Sequence, residues 1–324
     1  MTQAGDVQEG LLWKQEHLSP LPIPTGQPAS DVLGMIWRKN EVFLDIGSLS
    51  LSAGWVTLYM LSVLFAGAAI AMLFSFGIQH GVYLGFFLTL AIGGGLMTFL
   101  WLGYIKAYRR PLMPPVRFHR QRREVRIATP EGEEWTVPWE RVHAIAPSAT
   151  MIGQFGAAKM GGLLLWFPYT DQIDEPFHMN KEGWAIMVSP GPGIAAMRQW
   201  ECIRSFMEVG PDAVPDPAPV HNGHLSIWQS FVHDMREGVR TKGWLRTVAV
   251  DGFCSFFFNL FALDYLTRKK FAVIPDLTSP EAIAWSQPLP PEQWAKRSPE
   301  LEEAIAGRER DLAVSEDEKQ PKAA

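Results

Sequence analysis

The sequence predicts an α+β membrane protein: a two-helix transmembrane hairpin, a cytoplasmic antiparallel β domain capped by a helix, and a helical C-terminal region. Three observations carry this. Residues 46–105 hold no Asp, Glu, Lys or Arg, a run about three times the ~20 residues that one crossing needs. Behind it, short stretches alternate apolar and polar residues between turn signals, as half-buried strands do. Residues 194–208 then return apolar side chains at helical spacing.

The uncharged run (residues 46–108 with its exit) divides where a hairpin should. Two apolar segments, about residues 53–76 and 82–104, flank the polar, glycine-bounded turn Gly77, Ile78, Gln79, His80, Gly81, and each is long enough at about 1.5 Å per residue to cross a bilayer core. Trp55, Tyr59, Tyr83, Trp101 and Tyr104 lie toward the segment ends, where an aromatic belt belongs. Gly67, Ala68, Ala69 and Gly93, Gly94, Gly95 allow close helix approach. Arg38 and Lys39 precede the first segment and the turn carries no basic residue. Lys106, Arg109, Arg110, Arg117, Arg120, Arg122 and Arg123 follow the second. The positive-inside rule therefore puts both flanks in the cytoplasm, and the same seven cations are candidate contacts for anionic head groups. Without an ionisable group in either segment, an ion or proton path through the hairpin is not expected.

The remaining chain is read as cytoplasmic. Residues 1–45 form a proline-marked arm, of which Val32 to Trp37 and Val42 to Leu44 could add a strand to the later domain. Residues 114–210 read as the β domain. Strands are expected around Val116–Arg120, Val125–Ala128 and Trp135–Trp139, then at Leu163–Phe167 and Trp184–Val188, with Val142–Ile145 leading into a loop. A helix from Ile194 to Glu208, ended by Gly210 and Pro211, closes it. Residues 211–224 read as a linker and 225–274 as a helical region. There the uncharged stretch between Asp251 and Asp264 is too short to span a bilayer, and is read as a buried helix, with a helix lying in the membrane interface as the alternative. Residues 275–324 read as a proline-rich, then charged tail, disordered toward its end after one short helix.

Composition bounds the chemistry. A net charge of −5 offers no general attraction to nucleic acid, and two cysteines are too few for a disulfide framework. Gly191-Pro192-Gly193 lacks the longer glycine pattern and the Lys of a phosphate loop. His221, His224 and His233 are the only candidate metal ligands, at a spacing that matches no strong zinc pattern. No nucleophile elbow occurs. The chain is therefore read as non-enzymatic, with no cofactor. Trp285 and Trp294 lie among prolines, where they either anchor the tail on the domain or bind a partner.

Two resemblances add to this reading. A short-stranded sheet closed by one helix directly after a membrane segment resembles the pleckstrin-homology-like domains of bacterial membrane proteins. The hairpin, the run Pro-Pro-Val-Arg-Phe-His-Arg-Gln-Arg-Arg-Glu-Val at residues 114–125 and Trp-Glu-Cys-Ile-Arg-Ser-Phe-Met-Glu-Val-Gly-Pro at 200–211 resemble a family of proteobacterial two-pass inner-membrane proteins. That family is defined only as a domain of unknown function, with members often near type VI secretion genes. The resemblance implies an inner-membrane location and an immunity or accessory role, with an effector or secretion component as protein partner beside the lipid bilayer. Homo-oligomerisation stays open. A lipid-sensing or scaffold module is the alternative function.

Overall fold

The computed structural model describes residues 4–32, 34–47, 51–75, 82–153, 156–169, 183–188 and 191–319. The turn expected at Gly77–Gly81 lies outside them. The chain forms two compact units, each assembled from separate stretches: Met1–Ser48, Met113–His221 and Pro275–Ala324 make a β domain, and Leu49–Leu112 with Asn222–Ile274 make a helical unit.

The β domain holds two antiparallel sheets. One contains β1 (Val7–Glu9), β2 (Trp13–His17), β8 (His143–Gly153), β10 (Leu163–Pro168) and β11 (Gly183–Val188) in that order, with β9 (Gly156–Gly161) also paired to β8. The other runs in sequence order through β3 (Ile36–Lys39), β4 (Phe43–Ile46), β5 (Val116–His119), β6 (Glu124–Ala128) and β7 (Glu134–Pro138). The strands expected after the hairpin are present, as is the closing helix α3 (Ile194–Glu208). In the arm, β3 and β4 fall at the stretches expected to add a strand to the later domain, whereas β1 and β2 arise where irregular chain is expected, and the loop expected after Ile145 is the paired hairpin β8–β9. Pairing rescues these polar, glycine-bearing stretches, whose own apolar pattern is too weak to announce a strand.

Strand alternation explains the core. Leu44, Phe118, Val125, Ile127 and Val137 point inward from the second sheet and are almost wholly buried. They meet Ala144, Leu163, Leu165 and Phe167 from the first sheet, and Trp200, Ile203 and Phe206 from α3. Trp139 sits at the centre, edge-on to Phe118 at 5.8 Å and beside Trp200 at 5.2 Å between ring centroids. Large aromatic rings in such arrangements supply much of a core's burial. β4 and β5 are direct neighbours, with Ile46 opposite Val116 and Leu44 opposite Phe118, although the whole uncharged run separates them in the chain. That run is thus an insertion between two paired strands.

Residues 275–319 are not a loose tail. They include α8 (Pro280–Trp285) and α9 (Pro299–Lys319) and belong to the β domain. Leu277, Ala282 and Leu301 are buried, and Ala295 N–H donates to the Gln121 carbonyl at 2.9 Å. The stretch before Asn222 also joins the β domain: Lys39 Nζ donates to the carbonyls of Pro211 (3.1 Å) and Val214 (3.0 Å), so it is bound chain rather than free linker.

In the helical unit, α1 (Ser52–Ser75) and α2 (Val82–Arg109) are each long and apolar enough to cross a membrane. Of the glycines expected at their contact, Gly93 faces α1, where an added Cβ would collide with the Phe65 ring, while Gly67, Gly94 and Gly95 meet open space. α4 (Ile227–Lys242) starts with a capping box from Ser226 and Gln229. After Gly243, at φ 88°, come α5 (Trp244–Arg246), a π-helical stretch (Thr247–Gly252) and α6 (Phe253–Phe257). α7 (Leu260–Phe271) follows at a 64° bend. The expected burial of this stretch is not found: no residue of α5, α6 or α7 is buried, and Trp244, Leu245, Phe253 and Phe256 are each more than half exposed.

Candidate functional site

The seven basic residues after the second apolar segment separate into two groups. Lys106, Arg109 and Arg110 are exposed at the end of α2 and can reach head groups. Arg117 and Arg123 cannot, because both are buried and committed to carboxylates. Arg117 Nε and Nη2 grip the two oxygens of Asp45 at 2.6 Å each, Nη2 also reaches Asp276 at 2.7 Å, and Nη1 donates to Ser286 at 2.8 Å. The guanidinium lies 3.8 Å above the Phe43 ring centroid. Arg123 grips Glu208 through both terminal nitrogens (2.8 and 3.1 Å) and reaches Glu140 at 3.1 Å. Arg120 and Arg122, half-buried, donate to the carbonyls of Val209 (3.0 Å) and Trp285 (3.1 Å). Buried this deeply, Arg117 and Arg123 present no donor at the surface for a lipid.

What these arginines do is clamp the C-terminal strap. The outer face of the second sheet presents Asp45, Arg117, His119, Glu124 and Arg126 by alternation, and the first stretch of the strap covers it. Trp285 donates its indole N–H to Glu124 at 2.7 Å, stands edge-on to His119 at 4.9 Å and lies under Arg126 at 6.0 Å. Trp285 is therefore an anchor, the first of the two roles open to it. Trp294 remains partly exposed, with its N–H on the Leu289 carbonyl at 2.9 Å and Arg120 5.7 Å from its ring. Arg297 donates from Nε to the Glu208 carboxylate at 2.6 Å and from Nη2 to the Glu208 backbone carbonyl at 3.0 Å, and the Trp139 indole N–H donates to the same carboxylate at 2.8 Å. Burial alone would raise the Glu208 carboxyl, but the donors from Arg123, Trp139 and Arg297 outweigh it and hold the group below the ordinary carboxylate range. Burial likewise pushes the His119 imidazole down to about 4, so it is neutral when it donates from Nε2 to the Gln287 carbonyl at 3.3 Å.

The candidate metal ligands are not brought together. His221, His224 and His233 are exposed, and among the described residues no three His, Cys, Asp or Glu side chains are placed to hold an ion. A cavity of about 170 Å³ is lined by Glu16, His17, Leu18, Thr25, Met197 and Arg308, well under the ~300 Å³ at which small-molecule pockets begin.

One surface does stand out. Trp13 on β2 pairs with Ala149 on β8, which pairs with Met160 on β9, and Met151 lies two residues further on the same face. Trp13, Met151 and Met160 are 49%, 60% and 58% exposed, an apolar strip on a solvent-facing part of the sheet. Sequence reasoning missed it because neither β2 nor β9 carries a strand signal, so nothing in the order of residues brings Trp13 to Met160. No family model, curated protein or solved structure matches the chain.

Proposed function

We propose that the protein is a non-enzymatic, inner-membrane-anchored binding protein that meets a protein partner through a cytoplasmic β domain. The observation that carries the binding reading is the exposed Trp13–Met151–Met160 face. Thioether side chains adapt their shape to a partner, and exposed apolar strips on soluble domains mark contact surfaces. The pairing of β4 with β5 across the hairpin insertion supports a topology in which α1 starts and α2 ends on the β-domain side. Lys106, Arg109 and Arg110 at the end of α2 support that side being the cytoplasm. Two antiparallel sheets closed by α3 support the pleckstrin-homology-like architecture.

Within this reading the partner is an effector or component of a type VI secretion system, and the protein is its immunity or accessory factor. The five-residue outer turn, Gly77 to Gly81, is too small to supply the ~800 Å² per partner of a stable interface. The toxin it answers therefore acts in the cytoplasm or within the inner membrane. Co-expression with the neighbouring toxin gene tests this. Cells carrying the full-length protein should survive, and cells carrying a Trp13→Asp/Met160→Asp variant that still accumulates in the membrane fraction should not. Death with the unaltered protein present would end the immunity reading, and survival with the double variant would remove the strip from it.

The exposed Lys106, Arg109 and Arg110 favour one alternative, a lipid-sensing or scaffold module. Pelleting of the protein without residues 48–108 on anionic but not neutral liposomes would favour it.

A further inference from the structure

We propose that α5, α6 and α7 form a re-entrant insertion into the leaflet on the β-domain side, dipping into the lipid and returning without crossing it. The proposal rests on the membrane anchoring of α1 and α2 and commits to one occupant for the exposed apolar surface, the boundary between head groups and acyl chains.

Topology makes the first argument. Together, the helices on either side of the bend are apolar enough to count as one broken span. A complete third crossing would leave the chain before Asn222 and the chain after Ile274 on opposite sides of the membrane. Both stretches fold into the same β domain: Lys39 holds Pro211 and Val214, while Arg117 holds Asp276 and Ser286. The segment must leave on the side where it entered.

Bonding within the helical unit makes the second. The helical ladder is interrupted at Phe258 and Asn259, where Asn259 adopts φ 48°. The Phe258 carbonyl at this break accepts the Trp55 indole N–H at 2.8 Å. Non-helical backbone is tolerated at membrane depth only when another part of the protein satisfies it. Trp55 in turn packs on Trp101 at 5.5 Å and Tyr104 at 6.1 Å, which places the bend beside the aromatic belt of α1 and α2. The other end of α7 sits at the charged rim. Tyr108 Oη donates to the Leu266 carbonyl at 3.3 Å, and Lys270 Nζ donates to the carbonyls of Tyr108 and Arg110. From Lys270 to Phe258 the chain thus descends beside the last turns of α2.

Charge and surface complete the case. No charged residue lies between Asp251 and Asp264, and both acids are neutralised, by Lys242 and Arg268 at 2.9 Å each. Trp244, Leu245, Val248, Phe253 and Phe256 are each more than half exposed, a surface suited to lipid rather than water.

Single-cysteine labelling of the full-length protein in membrane vesicles of both orientations tests this, in a Cys254→Ser background. Cys202 stays silent because it is fully buried in the β-domain core. Arg240→Cys and Val273→Cys should both react with a membrane-impermeant maleimide from the β-domain side only. Phe256→Cys, with Phe253→Cys as a second reporter, should be shielded from that reagent in vesicles. Each should react after detergent and, when coupled to an environment-sensitive dye, give blue-shifted emission quenched by shallow spin-labelled lipid. Reaction of Val273→Cys only from the opposite side would overturn the proposal in favour of a third span. Reaction of Phe256→Cys and Phe253→Cys in vesicles as fast as Val273→Cys would overturn it in favour of a segment in water. His80→Cys, together with resistance to carbonate extraction, reports separately on the anchor. Loss of both would bring down the anchoring and this proposal together.

Discussion

At the scale of single residues, the outer face of the second sheet shows how far a polar side chain can be taken from water when every bond is met. Asp45 and His119 are wholly buried and Arg117 nearly so. The Asp45–Arg117 pair survives burial because its geometry is bidentate and Ser286 and Asp276 take the remaining donors. His119 reports on this face by its titration. Burial holds it down at about 4 in the folded chain, against about 6.5 when unfolded. The unfolded chain therefore takes up a proton that the folded one refuses, and stability declines as pH falls through about 6.5, the loss levelling off below about 4. For this one group the full effect is on the order of 3 kcal/mol. Melting temperatures of the full-length protein in detergent, followed from pH 7.5 to 5, should fall, and His119→Gln should flatten the slope. An unchanged slope would mean that His119 is not shielded by the strap.

At the scale of elements, strands and strap differ in how legible they were. β5, β6, β7, β10 and β11 and α3 carry their own apolar period, so the residue order announces them. β2 and β9 pair with β8, and β1 with β2 in turn, and no local pattern tells β2 that its partner lies more than 100 positions away. The arginine run was visible, but its reading as a membrane contact was half wrong, since two of the acids that meet it, Glu208 and Asp276, lie far along the chain. Opposite charges in a sequence do not say which of them meet. Glu208 is where this matters most, because it ties β6-side Arg123, the core Trp139 and the strap residue Arg297 at one carboxylate. Glu208→Gln would leave Arg123 with Glu140 as its carboxylate partner and take away the carboxylate that Arg297 grips. The expected cost is about 3 kcal/mol, the low end for breaking a buried pair, because part of the network survives. Limited proteolysis should then cut between residues 287 and 299 sooner than in the parent, while cleavage within the sheets is unchanged. Equal rates would show that packing at Leu277 and Leu301, rather than the carboxylate, holds the strap.

At the scale of the whole molecule, the chain is threaded so that one folded body is written in three pieces with two helical insertions between them. The two long apolar helices were legible from composition, because an uncharged run of that length is rare in chain that packs against water. That the chain before them would add a strand to the domain after them was legible at Val42 to Leu44, but the register that sets Leu44 opposite Phe118 was not, because short strands do not specify their partner. This arrangement makes a definite prediction about independence. The buried core cluster draws on strands β3 to β8, β10 and β11 and on α3, together with Leu18, Met35 and Val214, all from the β domain, and Ile46 already lies opposite Val116. The chain ends left by removing residues 49–112 are therefore close enough for a short glycine-serine turn, and a longer flexible linker can replace residues 222–274. Loop closure costs only about 0.6 kcal/mol for each doubling of loop length, small beside the burial of such a core. The resulting chain should be soluble without detergent, monodisperse, and melt cooperatively with the circular dichroism of an antiparallel β protein. Aggregation of this chain while the full-length protein stays folded in detergent would show that the helical unit is part of the domain's stability and not only its tether.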